Sequence, residues 1–121
     1  MNLLNRKIDW QVSEAITNFD NLKTSNTTVE VINDKIIVKL HGNAIATLNL
    51  DHHETNTKII FDTRGWHTQT TKARLNAVVH ALHLLNYALE VKGFKIKNGI
   101  IYAVVRDELV SLANARFVCD Q

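Results

Sequence analysis

At 121 residues, with 45% hydrophobic and 21% charged residues, the chain has the size and balance of one soluble globular domain, residues 1–121. No apolar run approaches the roughly 18 residues that span a bilayer. The stretch Met1–Arg6 lacks the apolar core of a signal peptide, so neither membrane nor export is expected. A lone cysteine, Cys119, excludes an internal disulfide and suits a reducing cytoplasm. The formal net charge of +2 conceals a division: residues 58–106 carry eight Lys/Arg against two acids, and both flanks are acidic. A basic middle of this kind fits an anionic partner.

In chain order, Leu4, Ile8, Val12, Ala15, Phe19 and Leu22 recur every three or four residues. They predict a helix from Asp9, as N-cap, to Lys23. Trp10 lies off that stripe and reads as a packing residue at a domain or subunit contact. After a Thr24–Thr27 loop the period changes to two. Thr28–Ile32 and Lys35–Leu40 form a hairpin around Asn33-Asp34, Ala44–Leu50 a third strand and Lys58–Asp62 a fourth, with a polar loop at 51–56. Connections this short predict an antiparallel meander that keeps one face wet and needs helical cover on the other.

That cover is a long central helix, Thr71 to Lys92, stopped by Gly93. Leu75, Val78, Leu82, Leu85 and Leu89 form one apolar stripe. A second, Ala77, Ala81, Leu84, Ala88 and Val91, offers a close-packing face to the N-terminal helix or to another subunit. Two apolar faces and few helices to cover them predict a homo-oligomer, a dimer or higher. Next, Phe94–Lys97 and Ile100–Val105 flank Asn98-Gly99, the strongest short-range hairpin signal, with Phe94, Ile96, Ile101, Ala103 and Val105 on one face. The segment from Asp107 holds no single period and fits either a strand or a helical turn. The expected fold is α+β: an antiparallel meander sheet plus a C-terminal hairpin, packed by one long central helix and an N-terminal helix.

The candidate site is the start of the central helix. Helix N-termini favour acids, yet Lys72 and Arg74 stand here with no acid. Free N–H groups beside two cations make an anion receptor. Thr70, Thr71, Lys72 and Arg74, with Arg106 or Arg116 from another element, are expected to bind phosphates, and Asn76 is placed to read a base or ribose edge. Trp66 is either a core anchor for the turn or an aromatic contact to the ligand. Catalytic patterns are weak. His80 and His83 have metal-ligand spacing but only Glu90 on the same face, and Asp51-His52-His53-Glu54 are consecutive loop residues that rarely converge. Nothing around Cys119 activates a nucleophile. No catalytic residue, metal or cofactor is expected, and the chain reads as a binding protein and not an enzyme.

Residues Gly65-Trp66-His67-Thr68-Gln69-Thr70-Thr71-Lys72-Ala73-Arg74-Leu75-Asn76 resemble a G-W-x-T-x-T-T-K-x-R-L-N signature of small bacteriophage proteins. His41-Gly42-Asn43-Ala44-Ile45-Ala46 matches the strand that precedes that signature, and Lys97–Tyr102 loosely matches a terminal hairpin. Asp62-Thr63-Arg64 departs from the small or Cys-containing residues expected before the glycine. In size and layout the chain is similar to Thoeris anti-defence sponges, oligomers that bind a cyclic ADP-ribose signal without cleaving it. The resemblance implies a phage protein that sequesters a nucleotide immune signal in the host cytoplasm. Two alternatives use the same residues differently. A nucleic-acid-binding accessory protein would lay Lys72, Arg74, Lys95, Lys97 and Arg106 along a groove, with Trp66 and Tyr102 stacking bases. An inhibitor of a host defence protein would bind through an exposed surface.

Overall fold

A computed structural model describes residue 4 and residues 6–50, 58–87, 89–113 and 116–120. Among them the chain forms helix α1 (Lys7–Asn18), strands β1 (Leu22–Lys23), β2 (Thr27–Ile32), β3 (Lys35–Leu40), β4 (Asn43–Asn49) and β5 (Lys58–Phe61), and helix α2 (Gln69–Leu84). Strands β6 (Val91–Lys97), β7 (Ile100–Val105), β8 (Glu108–Ser111) and β9 (Phe117–Asp120) follow. The α+β class and the antiparallel meander hold. The first sheet runs β1-β2-β3-β4-β5-β9 and the second β6-β7-β8, with every pairing antiparallel.

The period-two runs explain the meander. Val29, Val38, Ala46 and Phe61 share a register row and are all buried, whereas Glu30, Ile37, Thr47 and Ile60 in the adjacent row are only half-buried. Asn33 closes the first hairpin at φ 56°, a conformation asparagine tolerates. The second hairpin pairs Lys97 with Ile100, as the alternation requires. Its turn holds Asn98 and Gly99 at φ 53° and 77°, the positive pair of a type I′ turn. Phe94, Ile101 and Ala103 on its inner face are buried. The Phe94 ring meets Phe61 edge-on at 5.0 Å, joining the two sheets. Buried side chains of both sheets and both helices form one cluster.

Several boundaries differ from expectation. The central helix starts at Gln69, not Thr71, and ends at Leu84, not Lys92. Its stop is Asn86, at φ 65°, and not Gly93. Asn86 N–H bonds the His83 carbonyl and Tyr87 N–H the Leu82 carbonyl, both at 3.0 Å, which is a Schellman ending. Gly93 lies buried in β6 at a register shift, where a side chain is dispensable. The N-terminal helix begins at Lys7 after Arg6, so Asp9 is not its cap, and it ends at Phe19, φ 54°, short of Lys23. Thr27 belongs to β2. The ambiguous C-terminal segment supplies two strands: β8 pairs with β7, and β9 closes the first sheet against β5. The polar loop at 51–56 and Ala88 of the second stripe lie outside the described residues.

The helices pack in parallel. Arg6 meets Thr70, Asp9 meets Arg74, and Ser13 meets His80, so contacts advance along both chains in the same direction. Ala77 and Ala81 of the second stripe are fully buried within one chain. Leu84 of the same stripe stays 57% exposed, so that face is covered only in part within the chain.

Candidate functional site

The β5–α2 connection is built by local hydrogen bonds. Asp62 Oδ1 accepts from Arg64 N–H at 2.9 Å, and Thr63 carbonyl accepts from Trp66 N–H at 2.9 Å. Arg64 and Gly65 occupy the centre of this turn at φ 55° and 79°, again the type I′ pattern. A left-handed arginine is disfavoured by about 1–2 kcal/mol, and three contacts hold it there. Its Nε donates to the Ala44 carbonyl at 2.9 Å and lies 3.9 Å from Asp62 Oδ2, while Thr63 Oγ1 accepts from Gly65 N–H at 3.3 Å. The Arg64 side chain as a whole is about half exposed.

Past the turn, His67 Nδ1 accepts from Ile101 N–H at 2.9 Å. Ile101 carbonyl accepts from Leu112 N–H at 3.0 Å, so His67 completes a ladder position beyond the end of β8. An accepting Nδ1 places the proton on Nε2, the neutral tautomer. This tie was missed in the sequence, where a histidine after a tryptophan carries no signal of a strand partner. Thr68 is the N-cap of α2: its Oγ1 accepts from Thr71 N–H at 3.1 Å. The N–H groups of Gln69 and Thr70 have no partner among the described residues.

The expected site residues do not all converge. Thr71 is buried, its hydroxyl bonded to Thr68 Oγ1 at 3.0 Å. Thr70 is half-buried and its Oγ1 accepts from Arg6 Nη1 at 3.4 Å, a cation that sequence reading did not include. Lys72 is half-buried without a carboxylate among the described residues. Arg74 is a correction. Helix α2 starts two residues early, so Arg74 falls in the second turn and points inward. Its Nη1 donates to Asp9 Oδ1 at 2.6 Å and its Nε to Thr27 Oγ1 at 2.9 Å, with both charged side chains 3% exposed or less. Asn76 is likewise internal: it accepts from Phe94 N–H at 2.7 Å and donates to Phe94 carbonyl at 3.3 Å, capping the edge of β6. Both guanidinium and carboxamide are committed, so neither is a ligand group in this fold.

Arg106 does not reach the helix start. It sits in the β7–β8 turn and pairs with Glu90 at 3.2 Å. Ile101, the residue His67 touches, is five residues back along β7, a separation of about 17 Å. Arg116, by contrast, joins the turn. With Asp62, Thr63, Arg64 and Gly65 on one side, and Leu112, Ala113, Arg116 and Val118 on the other, the chain encloses an open cleft of about 790 Å³. Trp66 beside it is 52% exposed, so it does not anchor the core. Its ring lies 6.1 Å from that of His41, tilted by 31°. The cleft thus brings together two arginines and the carboxylate of Asp62, and Trp66 follows its lining residue Gly65 in the chain.

His80, the first of the paired histidines of α2, is engaged by α1. Its Nδ1 lies 2.9 Å from Ser13 Oγ, and Trp10 meets its ring edge-on at 5.1 Å. Burial, and secondly the nearby His83, hold its pKa below the usual 6.5. No group of three or more metal-ligand side chains occurs among the described residues. No helix among them is long and apolar enough to cross a membrane.

No curated protein and no solved structure matches the chain. A family match does, over residues 5–118, taking in both helices, the meander, the second hairpin and the Arg64–Arg116 cleft. The bacteriophage origin that the signature residues suggested holds at this level: the chain belongs to the Kyanoviridae Gp96 protein family, a family of phage proteins.

Proposed function

We propose that this phage protein binds and sequesters a phosphate-bearing nucleotide of the cyclic ADP-ribose type, without cleaving it, in the cleft between the β5–α2 turn and the segment leading into β9. The observation that carries the reading is the lining of that cleft: Arg64 and Arg116 face a space of about 790 Å³, inside the range of small-molecule sites. Arginine holds phosphate oxygens in bidentate fashion, and two of them suit a pyrophosphate better than a single phosphate. Trp66 supplies a flat face for a base at the rim, a role consistent with its exposure. Lys72, Thr70 and the free N–H groups of Gln69 and Thr70 add positive potential at the nearby start of α2. Of the residues expected at the start of α2, this reading keeps Trp66, Thr70, Lys72 and Arg116 and adds Arg64 in place of the inward-facing Arg74 and Asn76.

Native mass spectrometry of the protein purified from cells making such signals reads retained nucleotide and oligomeric state together. The expected result is one bound nucleotide per site in the wild type, lost in Arg116→Ala and in Arg64→Ala. Absence of any nucleotide, or equal retention by Arg116→Ala, removes the proposal.

A further inference from the structure

We infer a second ligand surface, the outer face of the β6-β7-β8 sheet, whose occupant is single-stranded nucleic acid. Lys95 and Lys97 stand two residues apart on β6, and Lys92 is exposed at the register shift two residues before Phe94. All three are exposed and have no carboxylate partner among the described residues. On the first sheet Lys39 is held by Glu30 at 2.8 Å across the β2–β3 pair, while Lys23, Lys35 and Lys58 are exposed but do not stand two apart beside a tyrosine. Tyr102 lies directly across from Lys95, half-buried, and no described residue takes its hydroxyl. Val104 and the exposed Leu109 are register partners beside it, so an apolar strip runs next to the cationic row.

Edge protection is the ordinary reason for lysines on a strand, and the topology argues against it here. At the β6 edge Asn76 of α2 takes both backbone groups of Phe94. The open edge is β8, and its residues Glu108–Ser111 include no lysine. The lysines therefore stand on the edge that a helix partly caps, while the uncapped β8 edge carries none. Charge complementarity selects a polyanion, and the tyrosine beside the row selects one with flat bases. Alternate β6 residues repeat at about 6.8 Å, a spacing that lets successive lysines follow an extended sugar-phosphate strand.

The test is fluorescence anisotropy of a labelled oligothymidylate titrated with the full chain at stepped salt. Each phosphate neutralised on a single strand contributes about −0.7 to the slope of log K against log salt. Lys95→Ala/Lys97→Ala is expected to flatten the slope by about 1.4. Tyr102→Leu, which keeps apolar bulk, is expected to weaken binding at least about fivefold with the slope unchanged. The control Lys35→Ala/Lys58→Ala removes two exposed lysines from the first sheet and is expected to leave both slope and affinity alone. No binding by the wild type at low salt overturns the inference, as does an unchanged slope in the β6 variant. An equal loss in the control, or full affinity in Tyr102→Leu, overturns it too.

Discussion

Replacing Arg74 tests whether this residue belongs to the core or to a ligand. The Asp9–Arg74 pair is buried, with side chains 2% and 3% exposed and a 2.6 Å contact. Arg74→Met removes one member of the pair and leaves the buried Asp9 carboxyl without its ionic partner. Thr27 Oγ1 also loses the Nε donor it holds at 2.9 Å. Removing one member of such a pair costs about 3–5 kcal/mol, because the remaining charge keeps its desolvation penalty without compensation. For a chain of this length that corresponds to a fall in Tm of about 10–20 °C. Replacing both members with apolar groups is a different perturbation. Asp9→Leu/Arg74→Met leaves no orphaned charge and is expected to lie within about 1 kcal/mol of the wild type. Urea unfolding followed by circular dichroism gives all four corners of the cycle. A single Arg74→Met variant within about 1 kcal/mol of wild type refutes the buried-pair argument, and so does a double variant whose loss is the sum of the two singles. The folded double variant should also retain nucleotide, since Arg74 faces away from the cleft residues.

Asn76→Ala strands the Phe94 N–H and carbonyl at the covered edge of β6 and should cost about 2–4 kcal/mol by chemical denaturation, with nucleotide retention in the folded fraction unchanged. Trp66→Ala should move stability by no more than about 1 kcal/mol, since half the side chain is already in water, while abolishing any quenching of tryptophan fluorescence that nucleotide produces at that ring. Because the folded pKa of His80 lies below 6.5, the native state binds fewer protons than the unfolded chain between those two values. Stability is then full above the unfolded value and is lost as pH falls through the folded one. The Tm of His80→Gln should therefore decline less than that of the wild type below about pH 6.5, and parallel Tm–pH curves for the two would contradict the assignment.

The parts of the fold legible in the sequence are those where local chemistry and tertiary structure agree. Asn98-Gly99 supplies both positive φ values of its turn, and the flanking alternation fixes register down to the Lys97–Ile100 pair. Asn33 does the same for the first hairpin. The end of α2 was legible in principle, since Asn86 is a residue that accepts the left-handed region and Tyr87 and Leu82 are the apolar pair of a Schellman ending. It was masked by Ala88, Leu89 and Glu90, all good helix formers, which extend the periodic pattern past the true stop. The end of α1 carries no such signal, for Phe19 takes φ 54° only because Asp20 N–H bonds the Ala15 carbonyl at 2.8 Å and the ring packs against the core. β9 is invisible locally: its four residues become a strand by pairing with β5, more than fifty positions earlier. The cleft depends on that same pairing, which is why Arg116 was named without its partners and Arg64 was passed over.

The broken rule at the start of α2 has a tertiary resolution that bears on where a ligand binds. An acid is favoured near a helix N-terminus, and α2 has none in its first turn. Because α1 runs parallel to α2, both positive ends lie at the same end of the pair, and like poles side by side are unfavourable. Asp9, in the first turn of α1, is buried between the helices and takes the guanidinium of Arg74. The missing carboxylate is thus supplied by the neighbouring helix, and one anion serves both ends. An external anion at Arg74 would have to displace Asp9, with the desolvation cost of a stranded carboxylate. At Arg64 and Arg116 no such displacement is needed, since among the described residues only Asp62 pairs with either, 3.9 Å from Arg64 Nε in an exposed turn. Under the proposed reading, the charge that meets a phosphate therefore stands on the β5–α2 turn, ahead of the helix and not within it.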